Sequence, residues 1–494
     1  LIGREDELRS LKGCIQDLRN GRGGIVMVTG EKGMGKSLLV SELAQHVIRE
    51  GALLGELYGR DTSQSASPTW LRARCRSYDQ SLPYSMWLDL LRGWLGVRAD
   101  EPPAETRDRL HHETEALWGD SVAEHHAYLA TLLSLPLEEE SAERIQSLDA
   151  EGLRQRFFFT LWSWVKAISG RGPLVLAFSD VHWADSTSLD LLRHCLPLCD
   201  HQELLWLIVF RADRTSPVWE FRHRVETEYP HRVTSLSLPP LTEGQSGEMI
   251  DQLIGAGTLP AETRTLILDK AQGNPYYMAE LVYSLIAQGV LARDTNGWRA
   301  TRAIASLDLP DSLQSLLLAR IDSLSAGERR VLQMAAVIGS VFWFKVLEGL
   351  AADVPDLRRH LTSLQRAELI YERGRLPDLG MEYVFKSSLM RDAAYEGTLS
   401  AQRVTRHRQV AEQLERLLGP ETLTQYAGAL AFHYHRAEES KKELFYTLQA
   451  ADHARGIYAN AEALEHYTDA LELLDRIEVE AAGEDQLYAI RTQR

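Results

Sequence analysis

Eight consecutive residues, Gly30-Glu31-Lys32-Gly33-Met34-Gly35-Lys36-Ser37, fit the pattern GxxxxGK[ST]. The chemistry of that spacing is phosphate binding. Glycines let successive backbone N–H groups turn inward around an anion, and a helix starting behind them adds its positive end. In such a loop the lysine, Lys36, reaches the β- and γ-phosphates, and Ser37 offers its hydroxyl to Mg²⁺. The stretch from Gly30 to Leu38 is therefore the candidate nucleotide cradle. A nucleotide site also needs a carboxylate at the tip of a neighbouring strand. The apolar run Leu174–Phe178, followed by Ser179 and Asp180, supplies one, which makes Asp180 the candidate metal ligand and water-polarising acid. The next apolar run leads to Arg211, where a guanidinium can sense or neutralise a γ-phosphate. Lys36, Asp180 and Arg211 are the candidate catalytic residues, and Ser37 and Asp180 the candidate Mg²⁺ ligands.

These residues need a strand before the loop and a helix after it. Ile25–Thr29 reads as a buried strand, and Lys36–Glu50 as a helix with apolar stripes Leu39/Leu43/Val47 and Val40/Ala44/Ile48. Leu174–Phe178, Leu204–Phe210 and Val233–Leu238 read as further strands. Between the first two lies a short helix that Ser186 is placed to cap. Glu151–Ser169 carries Leu153, Phe157, Leu161 and Val165 on one helical face and ends at Gly170. Strands alternating with helices predict an α/β P-loop domain with a parallel sheet over residues 1–240.

After Pro239-Pro240 the strand signals thin, and Thr242 with Gln245 forms a capping-box pattern. An all-α domain is expected over 241–309, interrupted by a hairpin marked by Asn296-Gly297. Over 310–400, helices followed by a strand-turn-strand stretch near 369–385 suit a winged-helix domain. Residues 401–494 read as helical, with Ala461, Leu464, Tyr467, Ala470 and Leu471 interleaving small and large apolar groups. That suits the start of TPR-like repeats, a surface for protein partners. Gly51–Ser67 reads as a mobile loop and Ala99–Leu137 as a helical insertion.

A chain of 494 residues is expected to hold several packed units. Its 54 basic and 70 acidic side chains leave a net charge of −16, which disfavours sequence-independent binding to nucleic acid. Its apolar runs are too short to span a bilayer. Four scattered cysteines and no visible signal peptide point to the cytoplasm. The chain opens on Leu1 and stops at Arg494 inside helical sequence, so it is read as part of a larger protein.

The ordered set Leu1-Ile2-Gly3-Arg4-Glu5, the phosphate loop, Leu82-Pro83-Tyr84, His182-Trp183-Ala184-Asp185, Gly273-Asn274-Pro275 and Arg320-Ile321-Asp322-Ser323-Leu324 resembles the STAND class. These are signal-transducing ATPases with numerous domains, in a branch found in bacterial regulators and linked to adenylate cyclases. The resemblance covers nearly the whole chain. It implies an AAA-like nucleotide domain, a helical domain, a winged helix and helical repeats working as an ATP/ADP switch, with an open form that oligomerises on ATP. It implies that Ile2, Gly3 and Arg4 lie by the adenine, that Pro275 packs on it, and that Arg211 is a sensor arginine. Two departures weaken the expectation of fast hydrolysis and of the ADP lock. Ser179 stands where the class has the first of two acids, and Ser387 stands where it often has a histidine on the β-phosphate. Asp185 and Lys386 are the side chains expected to make up part of the loss. Rival readings are an active ATPase using Asp180, a scaffold locked by its nucleotide, and a DNA-binding regulator.

Other clusters carry less. His194, Cys195, Cys199 and His201 have a zinc-like spacing broken by Pro197, so a buried-cysteine reading is preferred. His111-His112, His125-His126 and His433/His435 read as solvated helix faces, and Arg72, Arg74 and Arg76 as an exposed strand face. Arg403, Arg406, His407 and Arg408 suit a solvated face or an acidic partner. Arg358, Arg359 and Arg366 are mixed with Asp353, Asp356 and Glu368, which argues against DNA contact by the winged helix. No guanine-recognition element is evident, which favours adenine.

Overall fold

Five short runs pair into one all-parallel sheet: β1 (Gly24–Gly30), β2 (Thr69–Arg74), β3 (Leu174–Ser179), β4 (Leu204–Val209) and β5 (Val233–Leu238), in the order β2-β3-β4-β1-β5. The structure is a computed structural model. It describes residues 1–493 apart from 59–67, 76–81, 98–102, 214–215, 256–258, 288, 295–296, 302–312, 377 and 458. It divides into two units. One comprises Leu1–Arg74, Lys166–His182 and Cys195–Ser325, and the other Cys75–Val165, Trp183–His194 and Ala326–Arg494.

In the first unit the central strands β1, β3 and β4 are buried along nearly their whole length and read as continuous apolar runs, the pattern of a parallel sheet. Leu11, Ile15 and Leu18 of the helix Glu5–Arg19, and Leu39, Leu43 and Val47 of the helix Lys36–Tyr58, pack against Val26, Val28, Leu205 and Leu207. Each such side chain contributes about 1.5–3 kcal/mol by leaving water. Of the two expected stripes on the Lys36 helix, the first is the buried one, and Ile48 of the second is 63% exposed. The expected loop from Gly51 is also corrected, since the helix continues to Tyr58. Ala52, Leu53, Leu54, Glu56 and Leu57 are strong helix formers, and two glycines among them do not end the helix. Residues 59–67 of that expected loop lie outside the described ones.

The helices Glu243–Ile254, Ala261–Ala271 and Pro275–Ala287 follow, with a core of Ile250, Ile267, Met278 and Leu281. Both bonds of the Thr242/Gln245 capping box are present. The hairpin of β6 (Leu291–Asp294) and β7 (Gly297–Ala300) forms where Asn296-Gly297 placed it.

The second unit holds the helices Pro103–Trp118 and Val122–Leu132 within the expected insertion, and most of the helix Ala150–Ser169. Further on it holds β8 (Val341–Trp343), β9 (Ile370–Leu376) and β10 (Gly380–Phe385) as an antiparallel sheet in the order β8-β10-β9. The helices Ala326–Ile338, Phe344–Leu350 and Leu357–Arg366 flank β8 and precede the expected strand-turn-strand. Beyond it run the helices Ser388–Glu396, Ser400–Leu417, Ala427–Arg436, Ser440–Gly456 and Asn460–Gln493. On the last of these the packing face is Ala463, Ala470 and Leu473, while Leu464 and Leu471 point outward at 68% and 64% exposure.

Several histidines read as solvated are buried. His125 stacks on Trp118 with ring centroids 4.3 Å apart. His407 meets the Tyr395 hydroxyl at 2.9 Å through Nε2 and His433 Nδ1 at 2.8 Å through Nδ1. Burial holds both imidazoles neutral. His407 is lowered to about 2, with His433, Arg436, Arg391 and Arg403 pushing the same way, and His433 to about 3, with Arg391 adding to the effect. An unfolded imidazole takes up its proton below about pH 6.5. The folded pair refuses it until far lower, so its contribution to stability is complete above that pH and is lost as pH falls. Urea unfolding between about pH 6 and 4 should therefore lose on the order of 1.4 kcal/mol per pH unit for each of these histidines, and His433→Gln should remove one share of the slope.

Candidate nucleotide site

The carboxyl end of β1 delivers the chain into the loop from Gly30 to Ser37. Gly33 and Gly35 have φ of +84° and +87°, backbone that glycine reaches without strain. A Cβ at Gly35 would meet nothing within 4 Å, whereas a Cβ at Gly33 would lie 2.5 Å from Asn274 Oδ1. The loop is thus open at Gly35 and closely backed at Gly33. Lys36 starts the helix, is 8% exposed, and donates from Nζ to the carbonyls of Gly30 (2.7 Å) and Glu31 (2.8 Å). The first turn of that helix carries no carboxylate, so its anion-attracting end is uncontested. Ser37 and Leu38 are exposed beside it. An open glycine, a lysine, a hydroxyl and a helix N-terminus are the donor set that fits a nucleotide phosphate with Mg²⁺.

Sheet order brings the remaining charges to this edge. β4 lies between β1 and β3, so Arg211, just past β4, enters between the loop and Asp180, which follows β3. Burial brings Lys36 down to about 8, with Arg211 acting in the same direction and Asp180 and Glu31 against it. His182, on the turn after Asp180, is buried and lowered to about 4, first by burial and then by Arg211, so it faces this edge as a neutral imidazole. Asp180 has φ of +57°, and its Oδ2 accepts from Arg74 Nε at 2.9 Å. Arg74 is therefore no idle strand-face arginine. Parallel pairing sets Arg74 opposite Ser179 and brings its guanidinium to the acid.

The back of the loop is held by the Gly273-Asn274-Pro275 element. Asn274 Oδ1 accepts from Tyr276 N and Tyr277 N, both at 3.1 Å, and so caps the helix Pro275–Ala287. Its Nδ2 donates to Lys32 O at 3.0 Å, and Tyr276 N donates to Gly33 O at 3.3 Å. One side-chain amide thus caps a helix and fixes the loop, with Pro275 between the two attachments. Gly273, at φ +75°, leaves no room for a Cβ, which would stand 2.4 Å from Leu241 O. Gly3, at φ +64°, is likewise pressed on Leu241 and Gln245. Arg4 is buried and donates to Met34 O (3.3 Å) and Pro239 O (2.5 Å), so its guanidinium is spent on the loop and the end of β5, and Ile2 is half-buried beside it. Further along the same helix Glu280 pairs with Arg320 of the Arg320-Ile321-Asp322 stretch.

Two expected substitutes for the missing groups are corrected. Asp185 is buried and accepts from Tyr84 N (3.1 Å), Ser85 N (3.2 Å), Ser85 Oγ (3.1 Å) and Ser188 N (2.7 Å). These bonds tie the Leu82-Pro83-Tyr84 segment to the start of the helix Ser186–Cys195 and leave the carboxylate engaged. Burial and the neighbouring Glu462 raise Asp185 to about 7, against those hydrogen bonds. Asp185, not Ser186, caps that helix through Ser188 N. Ser186 Oγ instead donates to Glu462 Oε1 at 2.9 Å, beside Thr187 N and Thr187 Oγ1 at 2.8 and 2.6 Å from the same carboxylate. Lys386 pairs with Glu368. Ser387 caps the helix Ser388–Glu396 by accepting from Leu389 N at 3.2 Å.

Residues 1–208 match the protein family described as the AAA ATPase domain. The matched stretch holds the phosphate loop and β1, β2 and β3. An uncharacterized protein of Rhizobium meliloti (strain 1021) is 23% identical over 483 residues, which cover 96% of this chain and 42% of that protein. The chain therefore spans less than half the length of the curated relative it matches. Similar solved structures include a Signal Transduction ATPase with Numerous Domains (STAND) protein with a tetratricopeptide repeat sensor from Pyrococcus horikoshii. It is 12% identical with a TM-score of 0.40, over 97% of this chain and 58% of that one. The Aeropyrum pernix ORC2 protein in ADPNP–ADP complexes is also similar, at 12% identity and a TM-score of 0.35 over 84% of this chain and 95% of that one.

The Asn274 tether gives a prediction. Asn274→Asp keeps both acceptor bonds of the helix cap but turns an oxygen toward the Lys32 carbonyl. ATP affinity measured by calorimetry should fall about tenfold while helicity stays unchanged. Unaltered affinity would mean that the tether does not shape the cradle.

Proposed function

We propose that this chain is an ATP/ADP-binding switch of the STAND type, the regulatory part of a larger signalling protein, with slow ATP hydrolysis. The observation that carries the reading is the tethered loop itself, open at Gly35, fronted by Lys36 and Ser37, and edged by Arg211, His182 and Asp180. Its amides and Lys36 would hold the phosphates, and Ser37 with Asp180 would hold Mg²⁺. Mg²⁺ would neutralise charge on the phosphate oxygens. Arg211 would read the γ-phosphate, and Ile2, Gly3 and Pro275 would border the adenine.

Slow turnover is supported by three features of the edge. Ser179 supplies no second carboxylate, Asp180 is engaged by Arg74, and His182 is held neutral. A carboxylate oxygen that already accepts from a guanidinium has less room to accept from an attacking water. Switching then rests on the difference in affinity for ATP between two arrangements of the modules, because a ligand that binds both equally shifts neither. The winged-helix order around β8, β9 and β10 and the helices from Ser400 onward would be the modules that respond. The last of them would meet protein partners, and ATP would favour an oligomer.

Lys36→Ala should weaken binding of both labelled ATP and labelled ADP by at least about tenfold in equilibrium measurements. Equal, tight binding by the two proteins would sink the reading. Phosphate release by the unsubstituted chain should stay well below about one turnover per second and rise in Arg74→Ala, where Asp180 is released. Fast turnover abolished by Asp180→Ala would instead mark an active ATPase.

A further inference from the structure

The second unit contains an open cavity of about 680 Å³ among the helices Ser388–Glu396, Ser400–Leu417, Ala427–Arg436, Ser440–Gly456 and Asn460–Gln493. That volume lies within the range of small-molecule sites. Half-buried Tyr395 and buried His407 line it, and both ring nitrogens of His407 are engaged, by Tyr395 and by His433. Three guanidiniums, Arg403, Arg436 and Arg476, line it in a chain whose net charge is −16.

Two of them are held without an acid. Arg403 lies over the Tyr395 ring at 5.0 Å and Arg436 over the Phe432 ring at 5.6 Å. Neither makes an ion pair with a carboxylate among the described residues. Stacking fixes the plane of a guanidinium and leaves its N–H edge directed outward, which is how arginine is preorganised for a planar oxyanion. The acids in the wall differ. Glu443 is buried and already met by His435 Nδ1 at 2.8 Å and Arg476 at 3.7 Å, while Glu438 is exposed at the rim. Two guanidiniums without counter-charge, above a neutral polar wall, call for two negative charges from outside the chain.

We propose that this cavity is a binding site for a small organic dianion, a phosphate ester or a dicarboxylate, held by Arg403 and Arg436. The site lies apart in sequence from the phosphate loop and does not depend on the nucleotide reading. A bound dianion would touch helices on either side of the Leu399 turn and bias their packing. That gives the helical region a chemical input of its own.

Calorimetry on the full chain carrying Lys36→Ala, which disables the phosphate loop, tests this with four probes: inorganic phosphate, glucose 6-phosphate, succinate and uncharged glucose. At least one of the three anions should bind saturably and glucose should not. Preference for glucose 6-phosphate over succinate would name a phosphate ester, and the reverse a dicarboxylate. Arg403→Met should weaken binding at least about tenfold and Arg403→Lys should restore part of it. Arg436→Met, at an exposed position, provides the same readout should Arg403→Met fail to fold by circular dichroism. No binding of any anion at millimolar concentration, or binding indifferent to both methionine substitutions, would overturn the proposal.

Discussion

A phosphate loop is a set of backbone donors, and it works only if something else holds its carbonyls. Here that constraint falls on Asn274. The loop must present N–H groups on its concave side, which turns the Lys32 and Gly33 carbonyls outward, where unpaired buried acceptors would be costly. Asn274 Nδ2 and Tyr276 N meet them. Arg4 does the same for Met34 and extends the support to Pro239 at the end of β5. The entry segment, the loop and the helix after Gly273 therefore form one hydrogen-bonded body. The two glycines that press on Leu241 are there because the segments come too close for any side chain. Motifs separated by more than two hundred residues in the chain are one object in space.

The same economy explains the charge pattern. The charges gathered at the sheet edge act on Lys36 and His182. Arg211 opposes protonation of both Lys36 and His182, Asp180 favours it, and Arg74 holds Asp180. An incoming polyanion enters a field that is net positive and partly dehydrated, where each charge–charge contact counts for more than in bulk water.

Much of this was legible in the residues. The loop, the strand and helix around it, the central strands, the capping box, the Asn-Gly hairpin and the strand-turn-strand near 369–385 follow from local pattern, because each is specified within a few residues. What was missed needed partners distant in sequence. Arg74 looked like a solvated strand face until the parallel register set it opposite Ser179. Asn274 was visible as part of a motif, yet its double duty depends on where Lys32 comes to rest. Edge strand β2 has no continuous apolar run, and β8 is too short to show a period. His407 and His433 sit among arginines that suggested solvent, while their own rings satisfy one another inside the core. On the Asn460 helix both faces carry apolar residues, so periodicity alone could not tell the packed alanines from the outward leucines.

The Glu462 carboxylate has a wider meaning for how this chain can be dissected. It lies on the last helix, yet it answers three donors at the head of the Ser186 helix, which links two strands of the parallel sheet. Shortened versions ending before Asn460 would not simply shed a terminal module. They would leave two hydroxyls and an amide without their carboxylate acceptor and relieve Asp185 of its like-charged neighbour. Separately expressed pieces of this protein are thus different molecules at that crevice, and their behaviour cannot be summed to give the whole.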